Sequence, residues 1–134
     1  MKFGFVLPYG DAGTAGELAE LAENSGWDGF FVWEPVWGFD AWILLAAAAM
    51  RTKTIRLGTM ISPLSRRRPW KLASETVTLD HLSAGRLILS VGLGAVDTGF
   101  LRIRRNSRPQ NASGAARRRP RDPDWLMAWT AFHL

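Results

Sequence analysis

Residues 1–100 of this sequence predict an α/β fold built on parallel strands, and three observations carry that expectation. Short apolar runs rich in β-branched and aromatic residues alternate with longer segments whose apolar positions recur at helical spacing. Each connection between successive runs is long enough to hold a helix, which parallel neighbours require. Gly and Pro stand where one period gives way to the next.

Lys2 to Leu7, KFGFVL, is apolar enough for a strand covered on both faces, and Pro8 with Gly10 ends it. Thr14 and Glu17 form an S/T-x-x-E capping box ahead of Leu18, Ala19, Leu21 and Ala22, and Asn24, Ser25 and Gly26 close that helix. A second strand runs from Asp28 to Trp33. Asp40 caps a helix from Ala41 to about Arg51 that is apolar all round, as a helix pressed between layers is. Ile55 to Met60 is the third strand. Pro69 suits the first position of a third helix, with Leu72, Ala73, Thr76, Leu79 and Leu82 as its inward stripe and Gly85 as its stop. Arg86 to Val91, RLILSV, reads as a fourth strand. The order is β-α-β-α-β-α-β.

The whole chain has 134 residues, 47% of them hydrophobic, with seven Trp and seven Phe, enough for a packed core. The absence of cysteine excludes disulfides, thiolate metal sites and thiol nucleophiles. The longest apolar run, Ala41 to Met50, is far short of the roughly 20 residues that span a bilayer. Neither a membrane partner nor a metal is expected, and a cytoplasmic location is. The formal charge of +5 is unevenly placed: residues 1–100 carry nine Lys/Arg and ten Asp/Glu, whereas 101–134 carry eight Arg and two Asp. Two domains follow: an α/β domain over 1–100 and a basic tail of low order over 101–134, where Arg, Pro, Asn, Gln and Ser follow without a period.

Four stretches together resemble the bacterial luciferase-like monooxygenase family: KFGFVLP, GWDGFFVWE, IRLGTMISPL and RRRPWKLASETVTLDHLSAGRLILSVGLG. The resemblance implies a TIM (β/α)8 barrel, of which residues 1–100 supply the N-terminal half, and a cofactor, FMN or a deazaflavin, at the carboxyl ends of the strands. Barrel chemistry sits there. Past the second strand lie Trp33, a cofactor contact or a packing residue, and Glu34, a candidate catalytic carboxylate or a solvated loop carboxylate; the family often follows its acidic residue with His, but here Pro35 follows. Past the third strand, Gly58, Thr59, Met60 and Ile61 resemble the bulge on which the family rests its isoalloxazine ring, often through a non-proline cis peptide. Gly92 and Gly94 leave room for backbone to approach that ring; the plainer reading of Gly58 and Gly94 is that they only permit turns. Arg66, Arg67 and Arg68 read as a solvated loop, with a phosphate grip as the sharper alternative. His81 reads as a structural or surface residue, and His133 lies in the tail.

The tail has a reading of its own. Trp and Met each have one codon, so shifting the frame by one base turns Trp125 and Trp129 into Gly and Met127 into Trp. The result, Gly-x-Trp-x-Gly, resembles a pattern at the end of the family's next helix. The arginines are then out-of-frame sequence, and the chain is expected to be a truncated, inactive form of an oxidoreductase acting on a small-molecule substrate. The implied half-barrel leaves its first and fourth strands as open edges, so homo-oligomers or aggregates are expected. The rival reading is a small α/β module whose basic arm binds nucleic acid through phosphates.

Overall fold

A computed structural model describes residues 1–94. The tail, His133 and the shifted-frame segment lie outside the described residues. Four strands form one parallel sheet in the order β1-β2-β3-β5: β1 (Gly4–Leu7), β2 (Gly29–Val32), β3 (Arg56–Thr59) and β5 (Leu87–Ile88). Gly4 sits beside Gly29, Phe30 beside Leu57, and Gly58 beside Ile88. Between them run α1 (Ala12–Asn24), α2 (Ala41–Arg51) and α3 (Pro69–Leu82). This is the predicted order, with one strand divided. The run RLILSV forms β5 and then β6 (Val91–Gly92), which leaves the main sheet and pairs in parallel with β4 (Ser62–Pro63).

The core lies between the sheet and the helices. Phe30, Val32 and Leu57 are fully buried against Ala15, Ala19 and Leu45. Small residues at helical spacing let α1 and α2 approach closely: a Cβ on Gly16 would come within 2.8 Å of the Arg51 side chain. Strand alternation sends Phe30, Val32, Leu57 and Thr59 to this face, and sends Gly4, Val6, Phe31, Gly58 and Ile88 to the other.

Several local expectations change. Asp11, not Thr14, is the N-cap of α1, its carboxylate accepting from Thr14 N at 2.7 Å. That bond holds the Asp11 carboxyl below its ordinary value. Asp40 caps α2 as expected, accepting from Trp42 N and Ile43 N. The α2 helix is not covered all round, because Ile43 and Met50 are exposed. In α3 only Leu72 and Leu79 of the expected stripe are buried, while Ala73 and Leu82 face solvent. Phe3 and Gly4 are exposed too, so the first strand is covered at its carboxyl end alone.

Two charges that the sequence did not single out, half-buried Glu23 and buried Arg86, fasten the helix ends. Glu23, near the end of α1, accepts three consecutive backbone N–H groups, from Lys53, Thr54 and Ile55, at 2.8–3.0 Å. Arg86 donates to the carbonyls of Ala49, Thr52, Ile55 and Ser83 and to the Thr52 hydroxyl, at 2.7–3.1 Å. It thereby satisfies carbonyls at the C-terminus of α2 that the helix leaves open. Burial lowers the pKa of Arg86, opposed by the charge of Glu23. No helix among the described residues is long and apolar enough to cross a membrane.

Candidate functional site

The carboxyl ends of β1, β2 and β3 bring together most of the residues singled out in the sequence. Trp33 and Met60 stand one register step beyond the Val32–Thr59 pair. Alternation turns them toward the face opposite the helices, and both are well exposed, 44% and 45%. Ile61 follows, half-buried, and the Met60–Ile61 peptide is cis, at the place the resemblance implied. Trp33 packs edge-on against Tyr9 from the end of β1, with ring centroids 5.9 Å apart. These two line a cleft of about 160 Å³ with Phe39, Pro35, Pro8 and Leu44, and no charged side chain enters it. A larger groove of about 430 Å³ lies apart from these residues, between α2 and α3.

Gly58 and Thr59 are not in the opening. Both lie within β3, Thr59 buried on the helix side and Gly58 beneath Phe31. A Cβ at Gly58 would meet the Ile88 carbonyl at 2.5 Å and the Phe31 ring at 2.9 Å, so the glycine serves strand pairing. Nor do Gly92 and Gly94 leave room for a ligand. The Ile61 side chain fills the space where a Gly92 Cβ would stand. Pro63 fills that at Gly94, whose φ of +79° also favours glycine.

Glu34 differs most from its expected role. Its side chain is only 8% exposed, and both carboxylate oxygens are committed. Oε1 accepts from Arg67 Nε at 2.9 Å and lies 2.8 Å from Arg67 Nη2, while Oε2 accepts from Ser62 Oγ at 2.6 Å. Arg67, 16% exposed, reaches Glu75 Oε2 on α3 with Nη1 at 2.7 Å and places its guanidinium 5.7 Å from the Trp42 ring on α2. The solvated-loop reading thus fails for Arg67 and for Arg66, which donates to the Glu34 carbonyl, and holds for Arg68, which is exposed and lies over the exposed Trp70. His81 is exposed on α3. Among the described residues no group of three His, Cys, Asp or Glu is placed to hold a metal ion.

Sequence reasoning missed Ser62 and Tyr9, and noticed Arg67 but not its bond to Glu34. Glu34 lies 28 and 33 residues before Ser62 and Arg67, so no local pattern announced those bonds; for Tyr9, an aromatic residue just past the first strand was the available signal.

A flat tricyclic ring needs an apolar surface to lie on, and Trp33 and Met60, both exposed at adjoining strand ends, with half-buried Ile61 next to Met60, supply apolar side chains there. The residues present fit the ring of a flavin or deazaflavin in that respect. The profile of a family described as luciferase-like monooxygenase matches residues 1–122. A Mycobacterium tuberculosis protein named as a coenzyme F420-dependent oxidoreductase is 44% identical over 96 residues, 69% of this chain and 27% of its own length. The coenzyme F420-dependent tetrahydromethanopterin reductase of Methanopyrus kandleri superposes with a TM-score of 0.71 at 29% identity, over 75% of this chain and 29% of that one. The oxygenating constituent of 3,6-diketocamphane monooxygenase from Pseudomonas putida, solved in complex with FMN, superposes with a TM-score of 0.66 at 25% identity, over 75% of this chain and 32% of its own. The alignments thus span about a quarter to a third of these relatives.

Proposed function

The chain belongs to the luciferase-like monooxygenase family, and from that premise we propose that residues 1–94 form the ring-binding shelf of a flavin- or deazaflavin-dependent oxidoreductase. One observation carries the reading: an apolar surface of exposed Trp33 and Met60, with half-buried Ile61 beside Met60, at the carboxyl ends of adjacent parallel strands. Barrels and open parallel sheets take their ligands at that end. When bound, the reduced ring supplies a hydride to a substrate or electrons to dioxygen.

The chain's own residues hold and exclude. Met60 and Ile61 keep water from one face of the ring. The cleft between Tyr9, Trp33 and Phe39 takes an uncharged part of the small-molecule substrate, since its walls are apolar. Its 160 Å³ compares with the roughly 150 Å³ of an engineered apolar cavity that holds benzene, so it suits about one six-membered ring. Arg67 is taken by Glu34 and Glu75 and is not the phosphate anchor. For the 134-residue chain as it stands, we therefore expect ring contact weaker than micromolar and no turnover. Among the described residues the sheet ends at β1 and β5, and such edges favour self-association.

The test is a titration of the full chain with oxidised and reduced FMN and deazaflavin, followed by cofactor fluorescence, beside Trp33→Ala and Met60→Ala. Weak binding that both substitutions abolish supports the shelf. Binding indifferent to both overturns it, and turnover overturns the expected inactivity.

A further inference from the structure

We propose that Glu34 and Arg67 are positioning residues, which latch the Thr59–Ser62 segment in place beneath the ring. This rests on the shelf proposed above. A general base must reach the proton it removes and keep a lone pair for it. Glu34 is poorly placed for that, because Arg67 and Ser62 bond to both its oxygens and its side chain is almost fully enclosed. What the carboxylate does hold is Ser62, two residues past Met60. The same segment is held from the other side by Ser90, whose carbonyl accepts from Ser62 N at 2.8 Å and from the Thr59 hydroxyl at 3.2 Å. Thr59 and Ser62 are thus fixed on both sides, while Met60 between them stays open to a ligand.

Arg67 makes the latch rigid. Its guanidinium joins the end of β2 through Glu34 to α3 through Glu75, and lies against Trp42 of α2. Lysine cannot reproduce that set, because a single ammonium lacks the planar fork that bonds two carboxylates in fixed directions. Removing Arg67 leaves the nearly buried Glu34 without an ionic partner, and neutralising Glu34 leaves Arg67 to Glu75 alone, so in either case the surviving group rearranges. The motion falls first on Ser62 and hence on Met60 and Ile61.

The experiment follows the Met60 ε-methyl and Ile61 δ1-methyl NMR signals of the full chain, without cofactor, in S62A, E34Q and R67K. Core methyls of Ala19 and Leu45 serve as the internal reference. All three variants are expected to displace or broaden the Met60 and Ile61 signals and leave the reference unmoved. In a parallel FMN titration the dissociation constant rises roughly tenfold or more, a loss of about 1.4 kcal/mol of binding. S62A removes one hydroxyl and no charge, so it keeps the test open if a charge variant fails to fold. Met60 and Ile61 signals unchanged in S62A and E34Q, or displaced only together with the core reference, overturn the proposal. If the wild-type chain fails to bind FMN while the signals still move selectively, the shelf reading fails and the latch stands.

Discussion

Glu23→Gln tests the fold that carries the site. One carboxylate near the end of α1 receives three successive N–H groups from the loop entering β3. Burial pushes its pKa up, but the bonds from Ile55, Thr54 and Lys53 outweigh burial and hold it at about 2, against an ordinary 4.5. At about 1.4 kcal/mol per pH unit, that gap caps the contribution of the charge at roughly 3 kcal/mol. Nearby water screens the group, and about 1–2 kcal/mol is the figure to expect. The sign follows from the direction of the displacement. The native state favours the ionised form, so this stability is fully present above about pH 4.5 and is lost as pH falls through about 2. Glutamine keeps one acceptor oxygen but turns an NH2 group toward the remaining N–H donors. Urea unfolding of the full chain, followed by circular dichroism at steps from neutral pH to about pH 2, should show the variant less stable at neutral pH and the two proteins converging in acid. Stability profiles that run parallel across that range would refute the reasoning.

Gly58→Ala should cost about 1–3 kcal/mol, because its new methyl meets both the Ile88 carbonyl and the Phe31 ring; an unchanged urea midpoint would contradict this. Asp40→Ala removes the acceptor for two N–H groups at the start of α2 and should cost about 1 kcal/mol in thermal or urea unfolding, with Asp40→Asn close to wild type.

The parts of the fold that local chemistry decides were legible. The bounds of α2 matched because an Asp cap, an unbroken apolar segment and a closing Arg all lie within one short stretch. The cap of α1 was misread because two local patterns compete: Asp11 stands three residues before Thr14, just as Thr14 stands three before Glu17, and the carboxylate took the N–H. The division of RLILSV into β5 and β6 follows from pairing with β4, a partner 29 residues earlier in the register of Ser62 with Val91. No periodicity within the run encodes that. The same limit governs the site. Trp33, Met60 and Ile61 were recognisable as residues just past strands, whereas the role of Glu34 depends on Ser62 and Arg67, both distant in sequence. Three adjacent arginines look solvated in isolation; only the tertiary fold sets the middle one between two carboxylates.

The Phe31 ring lies across three strands at once, touching the positions where Gly4, Gly29 and Gly58 would each carry a Cβ. Three sites scattered over more than fifty residues of chain are thereby joined into one mutational unit. A methyl added at any of them displaces the same ring, and the second addition meets a ring already displaced. Shrinking Phe31 relieves Gly4 and Gly29 together but leaves Gly58 against the Ile88 carbonyl, so two of the three positions accept change in concert and the third stays closed.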